Sequence, residues 1–501
     1  MLKRTFCGIL LLFVLCLSIS GNVRAQSESL LLEAEQHWNT FGVGGTCISG
    51  GHNLAVADFD GDNVKEMVTG GSSYYLLPSG SRTVRSAPLK IWNWNGKTLT
   101  LEKDHNWTGN IGCVYAGDAN VDGKTELITA GGITNSTASY ASLRIWTWDN
   151  ENLVLMGGFE GVTVGSISVS DVDKDGKTEI ITVGRFTNGT QSIARLSIFK
   201  MDGSSLAFIT NVDCCDTNGG RANSVYADDL DNDGVTEIVV AGYSNDIRNN
   251  SGQLRVWQFD GTSLSLKNNV EWQMVAGLYS LDVAGNPMGN TAVSNVKVAD
   301  VDDDGVPEIV TAGFTYDGTR LKGQIRIWNW SNEVTNLEKS EEWSNLDITQ
   351  PMSMSINDVD GDGKKEIVTS GCTAGYGSWA PNAPGKTRAV LNIWNWNGQD
   401  FLLKQSEDWF VGEAVSAASV GTGDVDNDGF VEIITVGCMQ TGALCDPDLR
   451  IWSLSTTTNP SASFSYLAAA VVGVVATAIA ASIAAFNFMR KRQQQPPSAK
   501  E

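Results

Sequence analysis

The chain has 501 residues, of which 42% are hydrophobic, so it is long enough to bury a large core. It carries 57 acidic residues against 35 basic ones, which gives a formal net charge of −22. Such an acidic balance argues against nucleic acid as a partner.

The N-terminal segment has the order of features found in a secretory signal peptide. Lys3 and Arg4 precede an apolar run from Phe6 to Leu17, and Val23-Arg24-Ala25 is a small-x-small cleavage pattern. Residues 1–25 are therefore predicted to be removed, with cleavage before Gln26. The alternative, an uncleaved membrane anchor, requires a longer apolar run.

Seven nine-residue segments then repeat one pattern at spacings of 53 to 71 residues. Each has Asp at positions 1, 3 and 5, except for Asn120 in the second segment, with Gly or Asn at position 6 and Glu at position 9. The predicted metal ligands are Asp58, Asp60, Asp62 and Glu66; Asp118, Asn120, Asp122 and Glu126; Asp171, Asp173, Asp175 and Glu179; Asp229, Asp231, Asp233 and Glu237; Asp300, Asp302, Asp304 and Glu308; Asp358, Asp360, Asp362 and Glu366; and Asp424, Asp426, Asp428 and Glu432.

These loops present hard oxygen ligands to one point, and this chemistry favours calcium. Seven bound divalent ions would bring the formal charge from −22 to −8. The helix–loop–helix calcium motif does not fit, because its loop has Glu at position 12 and is flanked by helices. A lone acidic loop would more simply be a solvated turn, but seven in register predict up to seven calcium ions.

Four strands are predicted around each acidic loop. A short apolar segment precedes the loop, and a β-branched run such as EIVVAG (from Glu237) follows it. A third strand such as LRIWTW (from Leu143) then reaches a tight turn, often Asn-Gly or Asp-Gly, and a fourth strand ends near a Trp. Four antiparallel strands per repeat predict an all-β, seven-bladed β-propeller over residues 26–454.

Ring closure is predicted from the two ends of this region. The seventh repeat stops after its third strand at Leu454, whereas Leu30–Trp38 matches the fourth-strand pattern with no repeat before it. We therefore expect this N-terminal strand to complete the last blade and remove its open edge. Fifteen of the sixteen Trp lie in third or fourth strands, so they are expected to pack between blades; Trp379 lies outside.

The C-terminal region predicts a single membrane span. A Ser/Thr linker (455–463) leads to 26 uncharged residues (464–489), and a tail (490–501) begins with Arg490-Lys491-Arg492. The basic residues predict a cytoplasmic tail and an extracellular propeller, hence a single-pass type I protein of the cell membrane with one transmembrane α-helix. Small residues at four-residue spacing around Gly473 could pair two helices in a homodimer, or could be accidental.

The D-x-[DN]-x-D-[GN]-x-x-E loops, the apolar strands after them and their sevenfold repetition together resemble the FG-GAP or VCBS-type repeat. This repeat builds the head of integrin α subunits and many microbial surface proteins. The resemblance implies calcium bound by side chains at positions 1, 3, 5 and 9 and by a carbonyl at position 7. Those carbonyls would belong to Val64, Lys124, Lys177, Val235, Val306, Lys364 and Phe430. Two features depart from integrins: Glu stands at position 9, and no leg domains follow, so the resemblance implies the fold and the metal sites and not integrin signalling.

Three functions remain open on sequence alone: a ligand-binding or cell-adhesion module, a structural surface protein without a discrete ligand, and a propeller-based extracellular hydrolase or lyase. The chain has three His, and no Gly-x-Ser-x-Gly, phosphate-loop or zinc spacing is found in it, so we expect no enzyme activity. Exported proteins permit disulfides, and Cys438 with Cys445 is the one pair we predict.

A protein or glycan ligand is expected on the face opposite the calcium loops, where the connections between second and third strands vary in length. Aromatic and Arg side chains in these connections are the usual anchors of binding sites. The alternative is that these side chains simply pack locally. The candidate ligand-binding residues are Tyr75, Arg85, Tyr316, Arg320, Tyr376, Trp379 and Arg388.

Overall fold

The computed structural model is all-β in the part of the chain that it describes. It describes residues 28–38, 46–47, 52–76, 82–134, 139–149, 151–188, 191–203, 205–214, 220–246, 249–273, 280–281, 287–288, 291–375, 387–441 and 444–456. The chain divides into two units, residues 30–454 and the two terminal segments together. Only the first of these units holds a substantial described structure.

The strands follow one another along the whole of this unit. The first eleven are β1 (Glu28–His37), β2 (Thr46–Cys47), β3 (Leu54–Ala57), β4 (Glu66–Gly70), β5 (Ser72–Leu76), β6 (Arg82–Trp94), β7 (Leu99–Trp107), β8 (Gly109–Gly117), β9 (Glu126–Thr134), β10 (Ser139–Trp148) and β11 (Leu153–Glu160). The next ten are β12 (Ser166–Ser170), β13 (Glu179–Asn188), β14 (Gln191–Asp202), β15 (Ser205–Asp213), β16 (Arg221–Asp228), β17 (Glu237–Asp246), β18 (Asn249–Phe259), β19 (Leu264–Trp272), β20 (Ser280–Leu281) and β21 (Pro287–Met288). The last eleven are β22 (Thr291–Ala299), β23 (Glu308–Tyr316), β24 (Leu321–Ser331), β25 (Val334–Trp343), β26 (Ile348–Asn357), β27 (Glu366–Ala374), β28 (Arg388–Trp396), β29 (Phe401–Trp409), β30 (Ala414–Gly423), β31 (Glu432–Thr441) and β32 (Leu444–Thr456).

The sheets form a β-propeller with five separate blades, each holding one acidic loop. Four of these blades have four strands, namely β8–β11, β12–β15, β16–β19 and β30–β32 with β1. The fifth is a six-stranded sheet of β2 to β7, and the fifth and sixth repeats share one eight-stranded sheet, β22–β29. The first strands of successive repeats contact one another in a closed circuit that returns from β30 to β3.

The prediction of seven separate blades with a transmembrane helix is therefore wrong. The fifth and sixth repeats merge because β24 and β26 pair in parallel at Leu321 and Ile348. These two residues pack with Ala374, Phe314 and Tyr316 in one small apolar cluster, which holds the two strand starts together.

The helical part of the predicted fold also finds no counterpart in the structure. Among the residues described none is helical, so no helix there is long and apolar enough to span a membrane. The predicted signal peptide (1–25), the helix (464–489) and the tail (490–501) lie outside the described residues. The strand β32 runs to Thr456, two residues into the segment predicted to be a linker.

The predicted closure by the N-terminal strand is confirmed. In the last blade β1 lies beside β32, as the outermost of four strands. The Ser453 hydroxyl donates a hydrogen bond to Glu33 across this pair, at 2.6 Å. The ring of Trp38, directly after β1, packs on Trp92 of the first repeat with centroids 5.0 Å apart. The N-terminal strand therefore joins the last blade to the first.

Trp side chains connect neighbouring repeats, as the sequence predicts. The third-strand Trp328 packs on the fourth-strand Trp272 of the preceding repeat at 4.9 Å, and its indole N–H donates to the Thr311 hydroxyl at 3.0 Å. The same indole-to-threonine hydrogen bond recurs for Trp92, Trp146, Trp394 and Trp452, with lengths of 2.8–3.3 Å. A large buried ring with a satisfied N–H contributes both apolar area and a fixed orientation.

A one-residue bulge recurs between the third and fourth strands. In six repeats the register shifts opposite the third-strand aromatic residue, so that one fourth-strand residue has no partner on the third strand. The residues at this bulge position are Glu102, Met156, Ile209, Lys267, Glu338 and Lys404.

Candidate metal centres

Each acidic loop connects the first and second strands of its repeat, and its position-9 Glu is the first residue of the second strand. This placement buries all seven glutamates while the position-5 aspartates stay exposed. Glu66, Glu179 and Glu366 are 0% exposed. The carboxylates of each loop thus extend from the buried start of the second strand to the exposed surface.

Three hydrogen bonds recur in all seven loops and set the direction of the carboxylates. The position-9 Glu Oε2 accepts from the position-2 N–H at 2.9–3.2 Å. The position-1 Asp Oδ2 accepts from the position-6 N–H at 2.8–3.0 Å. The position-5 Asp Oδ1 accepts from the position-7 N–H at 2.7–2.9 Å. The position-1 Asp Oδ1 accepts a further loop N–H in six loops, whereas Asp300 Oδ1 has no hydrogen-bond partner.

Positive φ angles close the loops at two positions. Position 6 is left-handed, as its Gly or Asn predicts, with φ of 71° at Asn63. Position 4 is left-handed as well, and five loops place a residue with a side chain there: Val121, Lys174, Asn232, Asp303 and Asn427. Position 4 was not predicted to be left-handed, although Gly, Asn or Asp at this position in five of the seven loops is a usable signal.

The loop carboxylates converge as metal ligands would. In the loops starting at Asp58, Asp171, Asp229, Asp300 and Asp358, three acidic oxygens lie within 4.8 Å of one another. Three of the oxygens, Glu66 Oε1, Glu179 Oε1 and Asp300 Oδ1, are buried and have no hydrogen bond of good geometry, although Glu179 Oε1 lies 2.5 Å from the Lys200 ammonium. A buried carboxylate oxygen without a partner is costly, and a bound cation would satisfy it. This set of carboxylate oxygens therefore fits a hard divalent cation such as calcium.

Burial and repulsion between carboxylates raise the pKa of the position-9 glutamates. Burial raises the pKa of Glu66 and Glu308 to about 8, and the nearby loop aspartates add to the increase. Burial likewise raises the pKa of Glu126, Glu237 and Glu432 to about 7. Without a cation, the ionised form of these glutamates therefore destabilises the folded protein.

Two loops contain a lysine ammonium among their carboxylates. Lys200 Nζ lies 2.5 Å from Glu179, 2.8 Å from Asp175 and 3.8 Å from Asp173. Lys404 Nζ bonds Asp360 and lies 3.2 Å from Glu366 Oε1. Burial lowers the pKa of each lysine, but the hydrogen bonds to these carboxylates raise it overall.

The predicted ligand-binding residues lie in several places. Tyr75 and Arg85 are in the β5–β6 hairpin, and Tyr376 and Trp379 lie outside the described residues. Tyr316 donates to the Gly318 carbonyl at 2.9 Å, while Arg320 lies 3.8 Å from Asp347. Arg388 pairs with Asp408. Their role in binding stays a prediction.

A cavity that the sequence analysis did not predict opens at the end of the first strands opposite the acidic loops. It holds about 570 Å³ and draws its lining from six repeats. Arg221 begins β16 there, and Arg185, Tyr243 and Phe314 come from the far halves of second strands. The cavity wall therefore combines two Arg side chains with two aromatic rings.

The three histidines have partners within the fold. His37 Nδ1 lies 3.4 Å from Asp448, and His105 packs on Trp146 at 5.6 Å. His52 Nε2 lies 3.1 Å from the Asn223 carbonyl, and burial lowers the pKa of His52 to about 4. Cys438 is disulfide-bonded, and the side chain of its predicted partner Cys445 lies outside the described residues.

Comparison with known proteins identifies the repeat. The model of the FG-GAP-like repeat matches residues 171–240 and 300–369, each of which runs from one acidic loop into the next repeat. No curated protein matches the chain.

Solved structures resemble the chain only distantly. A Bacillus licheniformis rhamnogalacturonan lyase PL11 is 14% identical, with 81% of this chain and 90% of that chain covered and a TM-score of 0.34. The Dos1 propeller is 10% identical, with 85% and 95% covered and a TM-score of 0.37. Sqt1 from Chaetomium thermophilum is 11% identical, with 85% and 100% covered and a TM-score of 0.43. None of these likenesses bears on function.

Proposed function

We propose that this chain, a β-propeller with FG-GAP-like repeats, is an extracellular calcium-binding module that binds a ligand or mediates adhesion. The observation that carries the calcium proposal is the shared frame of three hydrogen bonds, which leaves converging acidic oxygens without partners, Glu66 Oε1 and Asp300 Oδ1 among them. Export and membrane attachment stay predictions from segments outside the described residues.

Bound calcium would supply positive charge at the loops that take it and would bind carboxylate oxygens that the backbone amides do not. The loop residues themselves hold the carboxylates in position. The position-2, -6 and -7 amides hold the carboxylates in direction, and the buried Glu fixes the loop to the second strand. The loops thereby join the first two strands of each repeat, so binding would stabilise the folded ring in proportion to free calcium.

Two adjacent aspartates in the fifth acidic loop provide a matched test. Asp302 stands at position 3 within the oxygen cluster, whereas Asp303 stands at position 4, is exposed and has a φ of 63°. Asp302→Asn should weaken calcium binding at this loop about tenfold or more, because a charged ligand is lost. Asp303→Asn removes the same charge and keeps a residue that tolerates positive φ.

The measurement is calcium binding by isothermal titration together with the melting temperature in calcium and in chelator. If calcium neither binds nor raises the melting temperature of the unaltered chain, the calcium proposal fails. Equal effects of the two substitutions would assign the role to net charge and not to a ligand at position 3.

The ligand-binding part of the proposal is supported by the cavity opposite the acidic loops. Arg185 and Arg221 border it and are exposed, and Tyr243 and Phe314 add aromatic surface. Arg and aromatic side chains in a concave site commonly anchor anionic or sugar groups. We therefore expect an anionic protein or glycan ligand at this face.

An array of acidic and neutral glycans, probed with the full chain in calcium, tests this expectation. Binding that falls at least tenfold in Arg221→Gln but not in Lys97→Gln, an exposed residue that does not line the cavity, would support it. Binding with no dependence on Arg221 would contradict this location, and no binding to any surface or glycan would favour the structural alternative.

A further inference from the structure

We propose that the acidic loops from Asp171 to Glu179 and from Asp358 to Glu366 are closed by Lys200 and Lys404 and take no calcium ion. This inference rests on the proposed calcium function and says which loops perform it. In both loops the ammonium group lies between the same carboxylates that would bind the metal. Calcium and the ammonium therefore compete for one set of oxygens.

Lys200 reaches its loop from the third strand. In the register of β13 and β14, Lys200 lies directly opposite Glu179. The equivalent residue in the fourth repeat, opposite Glu237, is the uncharged Gln258. In the sixth repeat the same position is Asn395, whose amide donates to Glu366 at 3.3 Å. Of these three third-strand residues, Lys200 alone carries a positive charge.

Lys404 reaches its loop by a different route, the bulge in the fourth strand. It is the residue of β29 that has no partner on β28 between Ile393 and Trp394. The third repeat has Ile209 at this bulge position, and the sixth has Asn395 at the third-strand position. In each of the two loops, one lysine thus contacts the position-9 glutamate, and the two lysines come from different strands.

The bulge position has the opposite charge beside other loops. Glu102 is the unpaired residue of this bulge in the first repeat, at the position that Lys404 holds in the sixth. Glu338 holds the same position in the fifth repeat. These two loops gain a further carboxylate where the sixth loop gains an ammonium. The repeats therefore divide into loops that attract a cation more strongly and loops that already contain one.

A lysine at the bulge does not by itself close a loop. Lys267 occupies this position in the fourth repeat, but its Nζ bonds Glu333 of the next repeat at 2.8 Å. No contact of Lys267 with the carboxylates of the fourth loop accompanies it among the described ion pairs. The inference is thus confined to the two loops in which the ammonium contacts the position-9 glutamate.

Counting calcium on the full chain tests the inference. Lys200→Gln and Lys404→Gln should each bind one more calcium ion per chain than the unaltered protein at saturation, and the double variant two more. Equilibrium dialysis with radioactive calcium gives the count. The controls are Lys174→Asn and Lys365→Gln, which remove an exposed positive charge from the same two loops at positions that hold no predicted ligand and should leave the count unchanged.

Thermal melting provides a second measurement. In chelator, Lys200→Gln and Lys404→Gln should melt at lower temperature than their controls, and added calcium should restore more of the loss than it does in the controls. If the counts of the lysine variants equal that of the unaltered chain, the inference is overturned while the calcium proposal stands. If the unaltered chain binds no calcium, the calcium proposal itself fails, and the inference with it.

Discussion

Replacing Glu66 by Gln should stabilise the protein without calcium and destabilise it with calcium. The Glu66 carboxyl is fully buried, and its Oε2 accepts the Phe59 N–H at 2.9 Å while Oε1 has no hydrogen-bond partner. A Gln keeps an oxygen to accept from Phe59 and removes the charge. It therefore resembles the protonated carboxyl in the ion-free loop.

The magnitude follows from the pKa of Glu66, which burial raises from 4.5 to about 8. A pKa raised on folding adds stability that is complete below pH 4.5 and is lost as the pH rises towards 8. At about 1.4 kcal/mol per unit, the loss would be about 5 kcal/mol. Solvent at the exposed edge of the loop screens the charge, so we expect about 2 kcal/mol. At pH 8 without calcium, Glu66→Gln should be more stable by that amount.

Bound calcium should reverse the effect of Glu66→Gln on the free energy of unfolding. When the ion is bound, the ionised Glu66 is a ligand, and its loss should weaken binding at this loop about tenfold or more, equivalent to about 1.4 kcal/mol or more. The calcium-loaded protein should then lose stability on acidification, whereas the ion-free protein should gain it.

Urea unfolding of the full chain between pH 5 and pH 9, in chelator and in excess calcium, measures both effects. The exposed Glu407→Gln is the control for the loss of one negative charge. A Glu66→Gln variant that is less stable in both conditions would refute the reasoning, because the glutamate would then act through its hydrogen bond alone. Ion-free stability that is constant between pH 5 and pH 8 would refute it as well.

Two further predictions concern the ring itself. Deleting residues 30–38 should leave the edge of β32 open and cause aggregation, which light scattering would detect, and a monomeric protein with an unchanged melt would contradict it. Trp328→Ala should cost about 3–5 kcal/mol in urea unfolding, whereas Thr311→Val, which removes only the 3.0 Å hydrogen bond to the indole, should cost about 1 kcal/mol. Equal costs would show that packing of the indole contributes little.

Much of the candidate metal site follows from local sequence. The spacing of Asp, Gly or Asn, and Glu within nine residues predicts the loops, because their hydrogen bonds run between residues of the same loop, as from Val64 to Asp62. The N-terminal strand was also predictable, because its pattern matches the fourth strands. Position 4 was missed only because the predicted pattern allowed any residue there.

What the sequence by itself determined about this protein is its repeated local chemistry: where the acidic loops lie, which strands flank them, and that Leu30–Trp38 completes the last blade. Only the tertiary structure decided how the repeats join into sheets, because β24 meets β26 through contacts of Leu321 and Ile348, residues far apart in the chain. It also decided which loops contain a lysine. Lys200 lies on a third strand and Lys404 at a fourth-strand bulge. The two lysines are therefore separated from their loops by different numbers of residues, so no fixed spacing in the sequence predicts them. A periodic sequence specifies contacts within one unit, whereas packing of particular side chains between strands determines how the units differ.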